Sequence, residues 1–273
     1  MRYLMREGAL LTDGQWEQID KAVIAEAKKI LIGRRFLNVV GPVGAQTQNV
    51  PLDFMENIKP AEADFWGKED IDAIDISKRR FIELVNVYSD FMISWRDIES
   101  ENGAGVQAAM DAAVTCSRRE DDLIFFGDKK MGIDGLLTAD GVNKIALSDW
   151  NEGENPVRDV AKALEILIDK GHSGERMLIV STDLYAKMHR IQPGTGIMEV
   201  DRVKSLVGGL LHTSRIGKNK AVLVYCDPHN MDLVIGQDMI TAYMGNEKMD
   251  HLFRVMETVV PRIKRPSAIA VIG

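Results

Sequence analysis

The sequence predicts an α+β fold, in which helices and antiparallel strands are not interleaved in a regular βαβ order. Three observations carry this expectation. Helical periodicity is confined to a few well-separated segments, at residues 13–32, residues 104–119 and a stretch opening at Asn155-Pro156. The rest of the C-terminal half is a series of short β-branched runs. An Asp-Pro-His-Asn tetrapeptide (residues 227–230) between two of these runs reads as a hairpin turn.

The first helix has the clearest signals. Thr12 and Gln15 form a capping box, with Leu11 placed to staple onto Trp16. Trp16, Ile19, Val23, Ala27, Ile30 and Leu31 then recur every three or four residues on one face. Gly33 suits the position just past the helix, and Lys28, Lys29, Arg34 and Arg35 complement the negative end of its dipole. Residues 36–45 read as a short strand ending at Gly41-Pro42. Residues 46–78 are acid-rich and broken by Asn57, Pro60 and Gly67, an excursion too long for an ordinary connection.

Between residues 80 and 97, Phe81, Leu84, Val87, Phe91, Ile93 and Trp95 suggest an irregular strand, and Val106, Ala109, Met110, Ala113 and Val114 return to helical spacing. Asn155 as cap and Pro156 in the first turn open a helix with Val160, Leu164 and Leu167 on its apolar face, ended by Gly171. Residues 199–207 are a shorter helical candidate. Strands are expected at residues 177–181, 221–226, 233–235, 252–260 and 268–272.

At 273 residues the chain can bury a substantial core without disulfides. An apolar fraction of 45% and a charged fraction of 27% match a globular protein. A formal charge of −7 gives no basic field for nucleic acid, so a nucleic-acid partner is not expected. Cys116 and Cys226 lie in separate apolar stretches, which suggests buried reduced thiols in a cytoplasmic protein. No signal peptide or membrane span is expected. The chain lacks phosphate-loop, zincin and nucleophile-elbow motifs. His172, His189, His212, His229 and His251 share no ligand spacing, so neither metal nor cofactor is expected. Glu120, Asp121 and Asp122 read as a solvated helix end or a salt-bridged interface.

Four segments, in register along nearly the whole chain, resemble one known family. They are Leu-Thr-Asp-Gly-Gln-Trp-Glu-Gln-Ile-Asp (residues 11–20) and Gly-Arg-Arg-Phe-Leu-Asn-Val-Val-Gly-Pro (residues 33–42). The third is Asp-Asp-Leu-Ile-Phe-Phe-Gly-Asp-Lys-Lys-Met-Gly-Ile-Asp-Gly-Leu-Leu (residues 121–137), and the fourth is Ile-Gly-Gln-Asp-Met-Ile-Thr-Ala-Tyr (residues 235–243). Together they resemble the encapsulins, specifically the linocin-like family 1, which are nanocompartment shell proteins with the HK97 phage-capsid fold.

The resemblance implies a discontinuous P-domain with the N-terminal helix (residues 1–45, 81–135 and 225–259), an extended E-loop (residues 46–80) and an A-domain (residues 136–224 and 260–273). It gives the long excursion a purpose, as an arm pairing with a neighbouring subunit. His189, Arg190, Gln192, Pro193, Gly194, Thr195 and Gly196 would line a fivefold pore for small ions. A groove for a short C-terminal tail on cargo enzymes would involve Ile24, Ala27, Leu31, Arg34, Ile240 and Tyr243, with Asn38 beside them. The resemblance would make an acidic residue typical at position 38; Asn38 supplies no carboxylate for a basic cargo tail.

The function implied is a non-catalytic, self-assembling icosahedral shell of about sixty copies or a multiple. Its cargo would be a ferritin-like protein or a dye-decolourising peroxidase, in the service of iron storage or protection from oxidative stress. A phage or prophage major capsid protein is the alternative within the fold. A cytosolic hydrolase is the alternative from another class, and no nucleophile–base motif supports it.

Overall fold

The computed structural model describes residues 1–54, 78–100, 105–191 and 196–273. In chain order the elements are α1 (Asp13–Ile30), β1 (Val39–Val40), β2 (Asn49–Phe54), β3 (Lys78–Glu83), β4 (Val85–Ile93), α2 (Trp95–Ile98) and α3 (Val106–Phe126). There follow β5 (Gly127–Asp128), β6 (Ile133–Asp134), β7 (Asn143–Ile145), α4 (Asn155–Asp169), β8 (Arg176–Ser181), α5 (Thr182–Met188) and α6 (Glu199–Val207). The chain ends with β9 (Gly209–Thr213), β10 (Ala221–Tyr225), β11 (Met231–Glu247), β12 (Asp250–Ile263) and β13 (Ile269–Ile272).

Two sheets organise the molecule. One has the order β1-β11-β12-β4 and the other β7-β13-β10-β8-β9. On the first sheet α3 packs against β4 and β12, and α1 packs against α3 and β11. Phe253 is fully buried at the centre of that packing. Its ring stacks on Phe91 at 5.4 Å and meets the edge of Trp16 at 5.7 Å. Beside the second sheet, buried Trp150 donates its indole N–H to Asp159 on α4 at 2.8 Å.

The capping box forms as expected: Gln15 N–H reaches Thr12 Oγ1 at 3.3 Å, and Thr12 N–H reaches Gln15 Oε1 at 2.9 Å. Gly33 is not the helix stop. Leu31 takes the C-cap position, and a Cβ on Gly33 would lie 2.1 Å from Ile124 Cδ1, so that glycine exists for close approach to α3. The cap of α4 is Glu154, at φ 44°, not Asn155; the Asn155 side chain instead donates to the Asp149 carbonyl at 2.8 Å. Glu120 and Asp121 are fully buried within α3, which overturns the solvated half of that expectation.

The expected hairpin at residues 227–230 is also corrected. A turn is there, closed by Asn230 N–H on the Asp227 carbonyl at 2.9 Å. The strands it joins, however, enter different sheets: β10 pairs with β8 and β13, while β11 pairs with β12 and β1. The chain returns between the sheets after β12, alongside that turn. The Asn230 carbonyl accepts Lys264 N–H at 2.9 Å and Arg265 N–H at 3.0 Å. Buried Asp232 takes a bidentate Arg262 pair, both bonds 2.7 Å, and Lys264 at 2.7 Å. The boundary expected between Val259 and Val260 falls inside β12.

In the long excursion, residues 55–77 lie outside the described residues. Its flanks, β2 and β3, pair antiparallel with each other from Asn49↔Glu83 to Phe54↔Lys78.

The glycine-rich segment after α3 has a steric origin. A Cβ on Gly135 would lie 2.3 Å from the Gly127 nitrogen and 2.6 Å from the Phe125 carbonyl oxygen, and neither backbone atom can rotate away. Gly135→Ala should therefore cost at least about 1–3 kcal/mol, measured as a lowered urea midpoint at unchanged slope.

Candidate functional site

The C-terminal turn of α1 ends beside β11, and between them opens a groove of about 420 Å³, lined by Ile24, Ala27, Lys28, Leu31, Arg34, Arg35, Asp238 and Met239. Helical spacing explains the α1 contribution: positions 24, 27, 28 and 31 share one face. Ala27 and Leu31 are buried floor, whereas Ile24 stays 46% exposed at the edge. The volume lies within the roughly 300–1,000 Å³ range of ligand sites.

Arg34 closes one end of the groove. Its Nε and Nη2 donate to Glu120 at 2.9 and 2.6 Å, its Nη2 also to Glu257 at 2.6 Å, and its Nη1 to Asp238 at 2.7 Å. Three elements, α3, β12 and β11, thus meet on one guanidinium. Burial works against that charge, but the bonds to Glu120, with Glu257 and Asp238, outweigh it and raise the Arg34 pKa. Next to it, the Asp121 carboxylate accepts Ile32 N–H at 3.1 Å and Gly33 N–H at 3.0 Å, satisfying donors just past α1. Burial pushes Asp121 up to about 6 despite those bonds.

Glu257 is the strained member. Burial and then the neighbouring Glu120 carboxylate push its pKa well above the usual range, and Arg34 only partly offsets them. Its Oε1 is buried with no hydrogen-bond partner among the described residues. Burial, together with Glu257 and Asp90, also pushes the adjacent Cys116 thiol up to about 12, so it is an inert core group.

The expected groove residues divide. Ile24, Ala27, Leu31 and Arg34 line one cavity. Tyr243 does not join them. It is buried, its hydroxyl lies 2.9 Å from His251 Nδ1, and its ring lies against the backbone of Gly8. The N-terminal residues cover that part of β11: Arg6 donates to the Thr241 carbonyl at 2.8 Å and pairs with Asp20 at 2.7 Å. Ile240 is also outside the lining, because β11 shifts register between Gln237 and Ile240 and presents Met239 to the groove instead. Asn38 is exposed, and its carbonyl accepts Leu233 N–H at 2.9 Å. Lys28, Arg35, Asp238 and Met239 were missed as lining residues; the alternation of β11 could not reveal the last two across a bulge.

Of the expected pore residues, Gln192, Pro193, Gly194 and Thr195 lie outside the described residues. His189 is exposed and bonds the Tyr185 carbonyl through Nδ1 at 2.9 Å. Arg190 is tied inward, donating to the Asn151 carbonyl and to the Glu152 carbonyl at 2.6 Å. Gly196 sits at φ 68°.

Two variants test the cluster. Arg34→Leu strands two buried carboxylates and should cost about 3–5 kcal/mol. Glu257→Gln keeps the shape of the protonated acid. The folded state holds the Glu257 proton where the unfolded chain has lost it, so this contribution to stability is present below about pH 4.5 and disappears as pH rises through the folded value. Thermal midpoints across pH should show Glu257→Gln matching or exceeding the unsubstituted protein in alkali and losing that advantage in acid.

The family model described as "Encapsulating protein for peroxidase" matches residues 1–260. The type 1 encapsulin shell protein EncA of Myxococcus xanthus is 35% identical over 264 residues, covering 95% of this chain and 92% of that protein. A diheme-cytochrome-encapsulin shell fusion protein of Kuenenia stuttgartiensis is 41% identical over 259 residues, covering 93% of this chain and 71% of the fusion. Among solved structures, a virus-like particle from Pyrococcus furiosus has the same fold, with a TM-score of 0.77 at 24% identity over 94% of this chain and 99% of that one. The capsid of Myoviridae phage XM1 follows at 0.66 and 12% identity, over 89% and 91%. With one family model running from the N-terminal residues through the groove into β12, the chain belongs to the encapsulin family of shell proteins, built on the HK97-like capsid fold.

Proposed function

We propose that about sixty copies of this chain, or a multiple, close into an icosahedral shell, and that the groove beside α1 holds a short C-terminal peptide of the enclosed enzyme. The four-stranded sheet with α1 and α3 would serve as the P-domain, the five-stranded sheet with α4, α5 and α6 as the A-domain, and the β2–β3 pair as the stem of the E-loop. Residues 189–196 would rim a pore that admits small ions and molecules. The shell is structural, sits in the cytoplasm, and leaves chemistry to its cargo.

The observation that carries the cargo assignment is the groove itself. It is open, apolar along its floor, edged by an exposed isoleucine and closed at one end by charge, which suits an extended peptide with an apolar anchor. The Kuenenia stuttgartiensis relative is a fusion with a diheme cytochrome. A Pyrococcus furiosus relative, 31% identical over 160 residues, is a fusion with a ferritin-like protein. These names favour a redox or iron-handling cargo.

Size-exclusion chromatography and negative-stain microscopy of the purified protein should show hollow, uniform particles. A 30.4 kDa monomer or a dimer would sink the shell proposal, and nuclease-resistant DNA inside the particles would favour a phage capsid. Ile24→Asp alters the groove edge without disturbing buried core, so its shells should assemble normally and lose co-purifying cargo. Unchanged cargo retention would remove the groove assignment while leaving the shell in place.

A further inference from the structure

The charges around the groove identify the chemistry of its occupant, an inference that rests on the groove holding a peptide. Two cations stand on the rim. Lys28 is exposed and makes no ion pair among the described residues. Arg35 is exposed too; one of its nitrogens, Nη2, donates to the Lys29 carbonyl at 2.8 Å, and no carboxylate neutralises it among the described residues. Of the nearby acids, Asp238 accepts Arg34 at 2.7 Å and Met239 N–H at 2.8 Å on its Oδ1, and Glu120 is buried against Arg34. Position 38 holds a neutral asparagine on the exposed surface.

A peptide entering this groove therefore meets uncompensated positive charge beside an apolar floor. We propose that the groove selects a tail carrying an acidic side chain next to its apolar anchor, with Lys28 and Arg35 as the specificity-determining residues. Ile24, Ala27, Leu31 and Met239 receive the anchor, and the rim cations receive the carboxylate. A basic residue beside Lys28 and Arg35 would face like charge.

The test co-expresses the shell with a fluorescent reporter bearing a short tail, and reads reporter fluorescence per particle after purification. Three tails share one apolar anchor and differ only in its neighbour: Glu, Ser or Lys. The Glu tail should load about fivefold more than the Lys tail, the size expected of a partly exposed ion pair at its upper end. In Lys28→Glu shells that order should reverse, with assembly unchanged. Equal or better loading of the Lys tail in unsubstituted shells, or a ratio untouched by Lys28→Glu, overturns the charge assignment and leaves the groove standing. If none of the three tails is retained, the groove is not a peptide site and both proposals fall.

Discussion

A guanidinium drawn out of water must keep every partner it has, and Arg34 has three. Glu120, Glu257 and Asp238 come from a helix and two strands far apart in sequence, and each lies within 2.6–2.9 Å of that one side chain. Such a cluster contributes little net stability, because desolvation offsets most of the attraction. What it contributes is placement, because it ties the segment after α1 to α3, β11 and β12 at once. Asp121 reinforces that arrangement by taking the two N–H groups that follow α1. The end of the first helix is thus fixed by polar contacts, while its middle is fixed by Trp16, Ile19 and Val23 in the core.

The groove is a by-product of that docking. Polar contacts hold the end of α1 at a set position beside β11, and the gap left over the apolar floor becomes the cavity. Its boundaries are sharp for separate reasons. On one side the bulged backbone of β11 turns Met239 inward and Ile240 away. Beyond it, the N-terminal strap with Arg6 across β11 seals Tyr243 into the core. A regular strand without the strap would leave a longer and shallower trough.

Much of this was legible in the sequence, and the exceptions share a cause. The capping box, the α1 stripe and the limits of α6 depend on neighbours within a few residues, so local pattern revealed them. Family resemblance supplied the fold and four of the groove residues. What stayed hidden depended on distant partners. Glu120 and Asp121 look like a solvated run until Arg34 and Gly33 are brought to them. Gly33 looks like a helix stop until Ile124 is seen against it. The turn at residues 227–230 has ordinary hairpin chemistry, and nothing in it announces that its two strands part company. Bulges in β11 broke the period-two pattern, which shortened that strand in the sequence.

The paired crossings at Asn230 have a mechanical meaning. The outgoing connection between the sheets and the returning one are bonded side by side, and Asp232 ties the return at Arg262 and Lys264. Arg262 also holds the Pro51 carbonyl of β2 at 2.7 Å. Tension pulled along the β2–β3 arm would therefore arrive at a node where both layers are fastened. A bonded pair of connections there bends as a ribbon but resists torsion better than a single covalent thread would.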